Sequence, residues 1–505
     1  MLARIANNVL GWFNTKLFFE KLNNPLGWIT LILIGLGFGI LVSKIGLVFG
    51  VIALVAILAI PGVFGAMFNP QFGLALMLII GFMVHLISKY SSAPVGTSMD
   101  GLMVVMLFGM LVMQGRNKKE GFASSPISYW VLIWVIYNLI QGLNPWAASF
   151  LAWVYTVRTM ALLIFVYFIA CFAFDSLKKI QWMIWFIILL LLGTALYGMK
   201  QEFIGFSAVE EAWIYADELR FQLLFQWTRM RIFSVTNDPT TFGIMMAFGG
   251  CQCFAMAMGD RPIRTRIILF IFTGIMFMVM AFTGTRTAYA LVPIGLLMFA
   301  GLTLTRNIVI GATLGLFLGI GFVSMSTSNA LVFRIQSAFR VTEDESMQVR
   351  FKNQKIIQPF IHSHPIGAGL GSTGVWGKRF TPDSWLAEFP HDSGFVRIAV
   401  EQGWIGLILY MIFLFVVLRE CTYYYVRVRD PIIKNLYLGL YIVLIILTVA
   451  SYPQEIIVQL PISLIFYIYL AAIVKLKDFD PAFTKDPEII RRFEEKQEMR
   501  TIAEK

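Results

Sequence analysis

The residues best equipped for chemistry in this sequence stand at the ends of long apolar runs. Pro390-His391-Asp392-Ser393-Gly394 lies at the start of a predicted helix over 394–418. Helix N-termini present free N–H groups and partial positive charge. An imidazole there can serve as base, acid or phosphate donor, or simply cap the helix. Asp392 is a supporting candidate beside it. Arg229 and Arg231 precede Asn237-Asp238-Pro239, where another apolar helix is predicted to begin. Two guanidinium forks just outside a membrane boundary suit a diphosphate, with headgroup anchoring as the competing reading. Arg286, in a Thr-Gly-Thr-Arg-Thr hairpin, is a third phosphate contact or a packing residue. Arg158 falls inside the apolar run 152–174, where a cation is either functional or snorkels outward.

A second group surrounds residues 345–401. A helix is predicted near 345–361, with Val349, Asn353, Ile356 and Phe360 on one side and Ile357 and Ile361 beside them. At 100° per residue Arg350 aligns with Ile357 and Ile361, so its head faces protein or a cavity, unless its stem packs on the membrane surface. His364-Pro-Ile-Gly367-Ala-Gly369-Leu-Gly371 follows. The glycines would let N–H groups approach an anion. No strand precedes them, so they are not a dinucleotide fingerprint, and a turn-rich loop is the plainer reading. His362, His364, Asp383, His391 and Asp392 offer metal-ligand types, but a His-x-His in a loop is a weak signal and no metal is expected. Arg397 and Glu401 are four apart on the predicted helix and can pair, which marks them as structural.

The elements that must position these residues are membrane helices. The chain has 505 residues, 58% hydrophobic and 14% charged, against roughly 25% charged in soluble domains. Apolar runs near 26–43, 45–61, 71–87, 99–114, 127–143, 152–174, 180–198, 240–258, 265–283, 286–304, 307–323, 394–418, 433–451 and 457–474 give about fourteen transmembrane helices. Basic residues collect in alternate connections: Arg116, Lys118 and Lys119; Lys178 and Lys179; Arg261, Arg264 and Arg266; Arg306; Arg419, Arg427, Arg429 and Lys434. The short connections on the other face hold only Lys44, Lys89 and Arg286. This asymmetry puts both termini in the cytoplasm, and the net charge of +11 tracks that face rather than a nucleic acid. Residues 1–22 read as an interfacial N-terminus, 23–198 as the first helices, 240–323 and 394–474 as the later ones, and 475–505 as a cytoplasmic tail, helical after Asp486-Pro487. Segments 199–239 and 324–393 are long, polar and aromatic-rich, and parity puts both outside. No disulfide or metal site is expected from Cys171, Cys251, Cys253 and Cys421, which fall in or near apolar runs.

Taken in order, these pieces resemble the bacterial O-antigen ligase and polymerase superfamily over roughly residues 225–420. Arg231 to Pro239 is similar to that family's Arg…Asn/Asp-Pro segment, with Ser234 where glycine is usual. Phe282-Thr-Gly-Thr-Arg286-Thr-Ala288 is similar to its Thr-Gly-Ser-Arg-Gly-Ala hairpin. Arg350 followed by His364 to Gly371 is similar to its Arg-helix-Pro-x-x-Gly-x-Gly-x-Gly pattern. Pro390-His391-Asp392 through Glu401 to Gly406 is similar to its His-Asn…Glu-x-Gly-x-x-Gly ending, with Asp392 in place of Asn. The resemblance implies a C-type glycosyltransferase-like fold and a donor glycan on undecaprenyl diphosphate. By carry-over His391 is central to catalysis, and Arg231 and Arg350 hold the diphosphate. The family is regarded as metal-independent and inverting, with no cofactor.

Three functions are then open. The first joins lipid-linked repeat units of O-antigen or exopolysaccharide; the second attaches a finished glycan to lipid A core or protein. The third, a transporter or flippase, would put charges near the midplane and relate its halves, whereas the notable charges here sit at the outer boundary. Expected partners are the lipid-linked glycan, a glycan or lipid A-core acceptor, membrane lipids, and a chain-length regulator or flippase. The expected site is the outer face of the bacterial inner membrane.

Overall fold

A computed structural model describes residues 25–45, 61–90, 95–117, 121, 123–226, 229–325, 345–390, 393–484 and 487–495 except 492, with isolated positions between 327 and 339. The N-terminal segment 1–22, most of the expected span 45–61, most of the short helix expected near 329–339, Asp486, and both His391 and Asp392 lie outside the described residues. The chain divides into two units, residues 1–76 with 104–118 and residues 77–103 with 119–505.

The first unit contains α1 (Pro25–Ile45), the beginning of α2 (Pro70–Tyr90) and the end of α3 (Val95–Asn117). The second contains the remainder of α2 and α3, then α4 (Pro126–Ile140), α5 (Phe150–Ala173) and α6 (Leu177–Phe203). Two short helices, α7 (Ala208–Tyr215) and α8 (Glu218–Leu224), lead into a small antiparallel pair, β1 (Phe225–Gln226) and β2 (Arg229–Met230). Next come α9 (Pro239–Ala257), α10 (Ile263–Thr283), α11 (Arg286–Thr303) and α12 (Arg306–Ser324). The second long segment supplies α13 (Glu345–Ser363), α14 (Gly374–Phe380) and α15 (Trp385–Glu388), followed by α16 (Gly394–Arg427), α17 (Pro431–Ala450) and α18 (Ile462–Leu476).

Among the described residues, ten helices are long and apolar enough to cross a membrane, and the protein is an all-α, multi-pass membrane protein. Each expected span other than 45–61 coincides with one helix. Two boundaries move. The expected span 394–418 belongs to a stretch of 34 residues that is helical on both sides of a break at Gly403. The last span begins at Ile462 rather than 457, because a proline at 461 forbids the helical bond its N–H would make. Residues 451–461 are instead a run of turns between α17 and α18.

Helix starts follow local chemistry. Asp238 caps α9, accepting from the N–H groups of Thr240 and Thr241, with Pro239 in the first turn; Asp430 and Pro431 do the same for α17. Both pairs satisfy free N–H donors and preset the first φ angle. α9 is buried nearly all round, as a helix apolar on every side must be. It packs on α10, α11 and α17, while α18 packs on α5.

Candidate active site

The first long segment is fastened to the end of α6 by a buried carboxylate. Ser207 and Glu210 form a reciprocal capping box at the start of α7, and Glu210 is fully buried. Gln201 Nε2 and Tyr197 Oη donate to Glu210 Oε1 at 2.6 and 3.1 Å, and Lys200 lies 3.7 Å from Oε2. Burial alone would raise this carboxyl's pKa; the Ser207 N–H, the Gln201 amide and the Ser207 and Tyr197 hydroxyls outweigh it and hold it below the usual carboxylate range. Gln201 Oε1 in turn accepts from the N–H groups of Phe233 and Ser234. Beneath lies an apolar cluster of Ile214, Leu224 and Phe233, with Trp213 and Phe221 against it.

Ser234 has φ of +52°, a left-handed conformation that glycine adopts without penalty and other residues adopt at a cost of about 1–2 kcal/mol. That accounts for glycine at this place in the resembling pattern. Here the hydroxyl donates to the Thr194 carbonyl at 2.6 Å, which offsets part of the strain.

Arg231 is a strut between two segments. Its Nε donates to the Thr283 carbonyl at 2.9 Å and an Nη to the Thr285 hydroxyl at 3.0 Å. Thr285 then donates to the Pro239 carbonyl at 3.0 Å. The Thr283-Gly284-Thr285 turn is thus tied to the start of α9, with Gly284 at φ +61°, and Arg286 opens α11 directly after it. Arg229 pairs with Glu202 and lies over the Phe282 ring. Arg229, Arg231 and Arg286 therefore gather about one turn.

Arg350 is placed elsewhere. α13 buries Ile357 against Leu386, Phe389 and Val400, with Phe360, Ile361 and Val396 packed on them. Val349 and Ile356 are exposed, so the buried face is centred on Ile357 and on Arg350 two turns earlier. Of the expected side, Phe360 packs on this core, whereas Val349 and Ile356 face outward. Arg350 lines a small pocket with Asn353, Phe389, Pro390, Ser393 and Val396. Pro390 and Ser393 flank His391 and Asp392 in the chain.

The glycine run wedges into a broken helix. Gly403, inside α16, has φ of +73°. The break frees carbonyls that a regular helix would use, and each finds a partner outside it: Ala368 N donates to Val400 O and Gly369 N to Glu401 O, both at 2.9 Å, and the Tyr137 hydroxyl donates to Gln402 O at 2.6 Å. Ile405 N turns to the Pro365 carbonyl at 3.2 Å. Gly367, Gly369 and Gly371 all have positive φ, and a Cβ on them would strike Gly403, Ala147 and Thr156 respectively. The Gly367 N–H donates to the His364 carbonyl at 3.0 Å, and the Gly369 N–H is the one already given to Glu401. His364 likewise sits at the end of α13, stacked on Phe360 with Nδ1 3.0 Å from the Phe360 carbonyl.

The Arg397–Glu401 pair is present at 3.1 Å, and two partners were not anticipated. Glu455, in the turns before α18, meets Arg397 at 2.6 Å, and the Thr373 hydroxyl donates to Glu401 at 2.6 Å. Removing one partner of such a buried network typically costs about 3–5 kcal/mol.

Two further cavities lie in the second unit. One, of about 340 Å³, is walled largely by Met77, Met99, Met103 and other apolar side chains, with Asp100, Arg158 and Asp238 as its charged groups. Arg158 Nε lies 3.4 Å from Asp100 Oδ2, so the intramembrane arginine has a partner across a cavity; Asp100 was missed because a lone acid early in an apolar run gives no pattern. The other, of about 370 Å³, is walled by Lys378, Glu388, Pro390, Gln454 and Glu455 among others. The two share Gln459, and the polar one shares Phe389 and Pro390 with the Arg350 pocket. Gln454, Glu455 and Gln459 were also missed; the only sequence signal is three hydrogen-bonding residues between two apolar spans.

Comparison with known families fits this arrangement. Residues 271–411 match the O-antigen ligase family. The matched stretch runs from within α10 to within α16. It includes Arg286, Arg350, the glycine run and His391, while Arg158, Arg229, Arg231 and Asp238 precede it. Among curated proteins no match is found.

Proposed function

We propose that this protein transfers a glycan from an undecaprenyl-diphosphate carrier to an acceptor hydroxyl at the outer face of the bacterial inner membrane, and that it polymerises O-antigen or exopolysaccharide repeat units. The observation that carries the reading is the pair of unlike cavities sharing Gln459. The apolar one suits a lipid-linked donor, and the polar one borders Pro390, the residue before His391. Both long segments face the periplasm in this reading, and both termini the cytoplasm.

The chemistry asks little beyond charge and position, because diphosphate is already a good leaving group. The acceptor oxygen forms a bond to the anomeric carbon. The bond from that carbon to the diphosphate oxygen breaks, and its electron pair leaves with the diphosphate. The acceptor proton passes to His391, or to water while His391 orients the hydroxyl. Attack opposite the leaving group inverts the anomeric centre. Arg350, Arg286 and Arg229 supply positive charge where a metal would otherwise serve, and Arg231 fixes the turn that carries Arg286.

A second reading, attachment of a finished glycan to lipid A core or protein, is favoured by the ligase description of the matched family. Product analysis in cells lacking the chain separates the two. Single lipid-linked repeat units are expected to accumulate. Long lipid-linked glycans without a final acceptor would instead establish the ligase.

A further inference from the structure

The cavity of about 370 Å³ beside Pro390 is unlike any place for a lipid carrier. Its walls include an ammonium (Lys378), two carboxamides (Gln454, Gln459) and two carboxylates (Glu388, Glu455). Carboxylates would repel a diphosphate, and there is no long apolar wall for an isoprenoid tail. Sugar hydroxyls need donors and acceptors together, and this set supplies both. The volume falls in the range of small-molecule pockets, about 300–1,000 Å³.

We propose that this cavity is the acceptor-saccharide subsite, with Lys378 and Gln454 donating to sugar hydroxyls and Glu388 accepting from them. The proposal rests on the glycosyltransferase reading above and adds where the acceptor lies. Two of its walls are held in place before any ligand arrives. Arg397 fixes Glu455 at 2.6 Å, and the Thr241 hydroxyl donates to Asp238 while its oxygen lies 2.5 Å from the Gln459 side-chain amide, which in its flipped orientation donates to it. Such prior fixing reduces the ordering that binding requires. Thr241, Asp238 and Gln459 also wall the apolar cavity, so one set of side chains sets the distance between donor and acceptor. Phe389 and Pro390 give the polar cavity an apolar patch for a sugar ring's C–H face, and the chain runs from Pro390 straight into His391.

The test uses the full-length chain in detergent without donor. The probe is the oligosaccharide released by mild acid from lipid-linked units that accumulate in cells lacking the chain. Equilibrium binding is measured for the parent protein, Lys378→Ala and Gln454→Ala, each checked for an unchanged elution profile. Both positions are partly exposed and outside the buried ion network, so the fold should hold. The expected result is binding that weakens about tenfold in each variant, the loss of one or two hydrogen bonds to a sugar. Equal binding by all three proteins, or no binding by the parent, overturns the subsite. Transfer is then assayed in the same preparations after the lipid-linked donor is added. Variant-sensitive binding without any transfer would leave the saccharide site and remove the glycosyltransferase reading; active transfer with variant-insensitive binding would do the reverse.

Discussion

The described parts of the two long segments that flank the helices α9 to α12 are held by different means. The first is fastened by side chains: Glu210, Gln201 and Ser234 join it to the end of α6, and Arg231 joins it to the Thr283–Thr285 turn. The second adds backbone to its side-chain ties: glycines enter the break at Gly403, where there is no room for side chains, beside the Thr373 hydroxyl on Glu401 and the Asn144 amide on the Gly367 carbonyl. The consequence concerns the arginines. Arg231 uses its guanidinium to hold protein together, whereas Arg350 lines a pocket next to the residues flanking His391. Two arginines assigned the same role from sequence thus divide into a positioning residue and a candidate ligand contact.

The largest expected effect tests the backbone side of that contrast. Gly403→Ala places a Cβ against the Pro365 carbonyl at a left-handed backbone position. It should cost about 2–4 kcal/mol, read as a lower thermal midpoint and loss of monodisperse protein. An unchanged midpoint would show that the glycine wedge does not hold the second segment.

The next effect separates the arginines. Arg350→Ala should raise the donor KM about tenfold or more, with a smaller fall in thermal midpoint than Arg231→Ala gives. Arg231→Ala should lower both kcat and the midpoint, and Arg231→Lys should rescue little, since an ammonium cannot span Thr283 and Thr285 together. Identical behaviour of the two alanine variants would erase the distinction.

The smallest effect concerns Glu210. Its folded carboxyl titrates below the unfolded value of about 4.3, so its contribution is present above that pH and is lost as pH falls through the folded pKa. Glu210→Gln should therefore destabilise the protein by about 1 kcal/mol at pH 7 and show a flatter stability profile than the parent below pH 5. Parallel profiles would mean the carboxylate does not carry the first segment.

Much of this was legible in the sequence, and for definable reasons. Spans are long apolar runs, so their positions follow from composition; the Asp238-Pro239 start of α9 follows from capping. The alignment of Arg350 with Ile357 follows from helical period alone. What the sequence hid is convergence. Glu455 meets Arg397 across 58 residues, and Gln459 meets Thr241 across 218, with no local pattern at either end. The run Ile456-Ile457-Val458 looks like the start of a span and is turn backbone, because only the following proline marks the boundary. The left-handed backbone at Ser234 was visible only as a departure from glycine in the resembling pattern.

The central claim is that His391 acts on an acceptor hydroxyl beside a lipid-linked donor. The most direct measurement is donor consumption in proteoliposomes by the parent protein and by His391→Ala of matched thermal midpoint. The account predicts a fall in the transfer rate of about 10²–10⁴-fold with donor binding retained. Transfer at the parent rate by His391→Ala would contradict it.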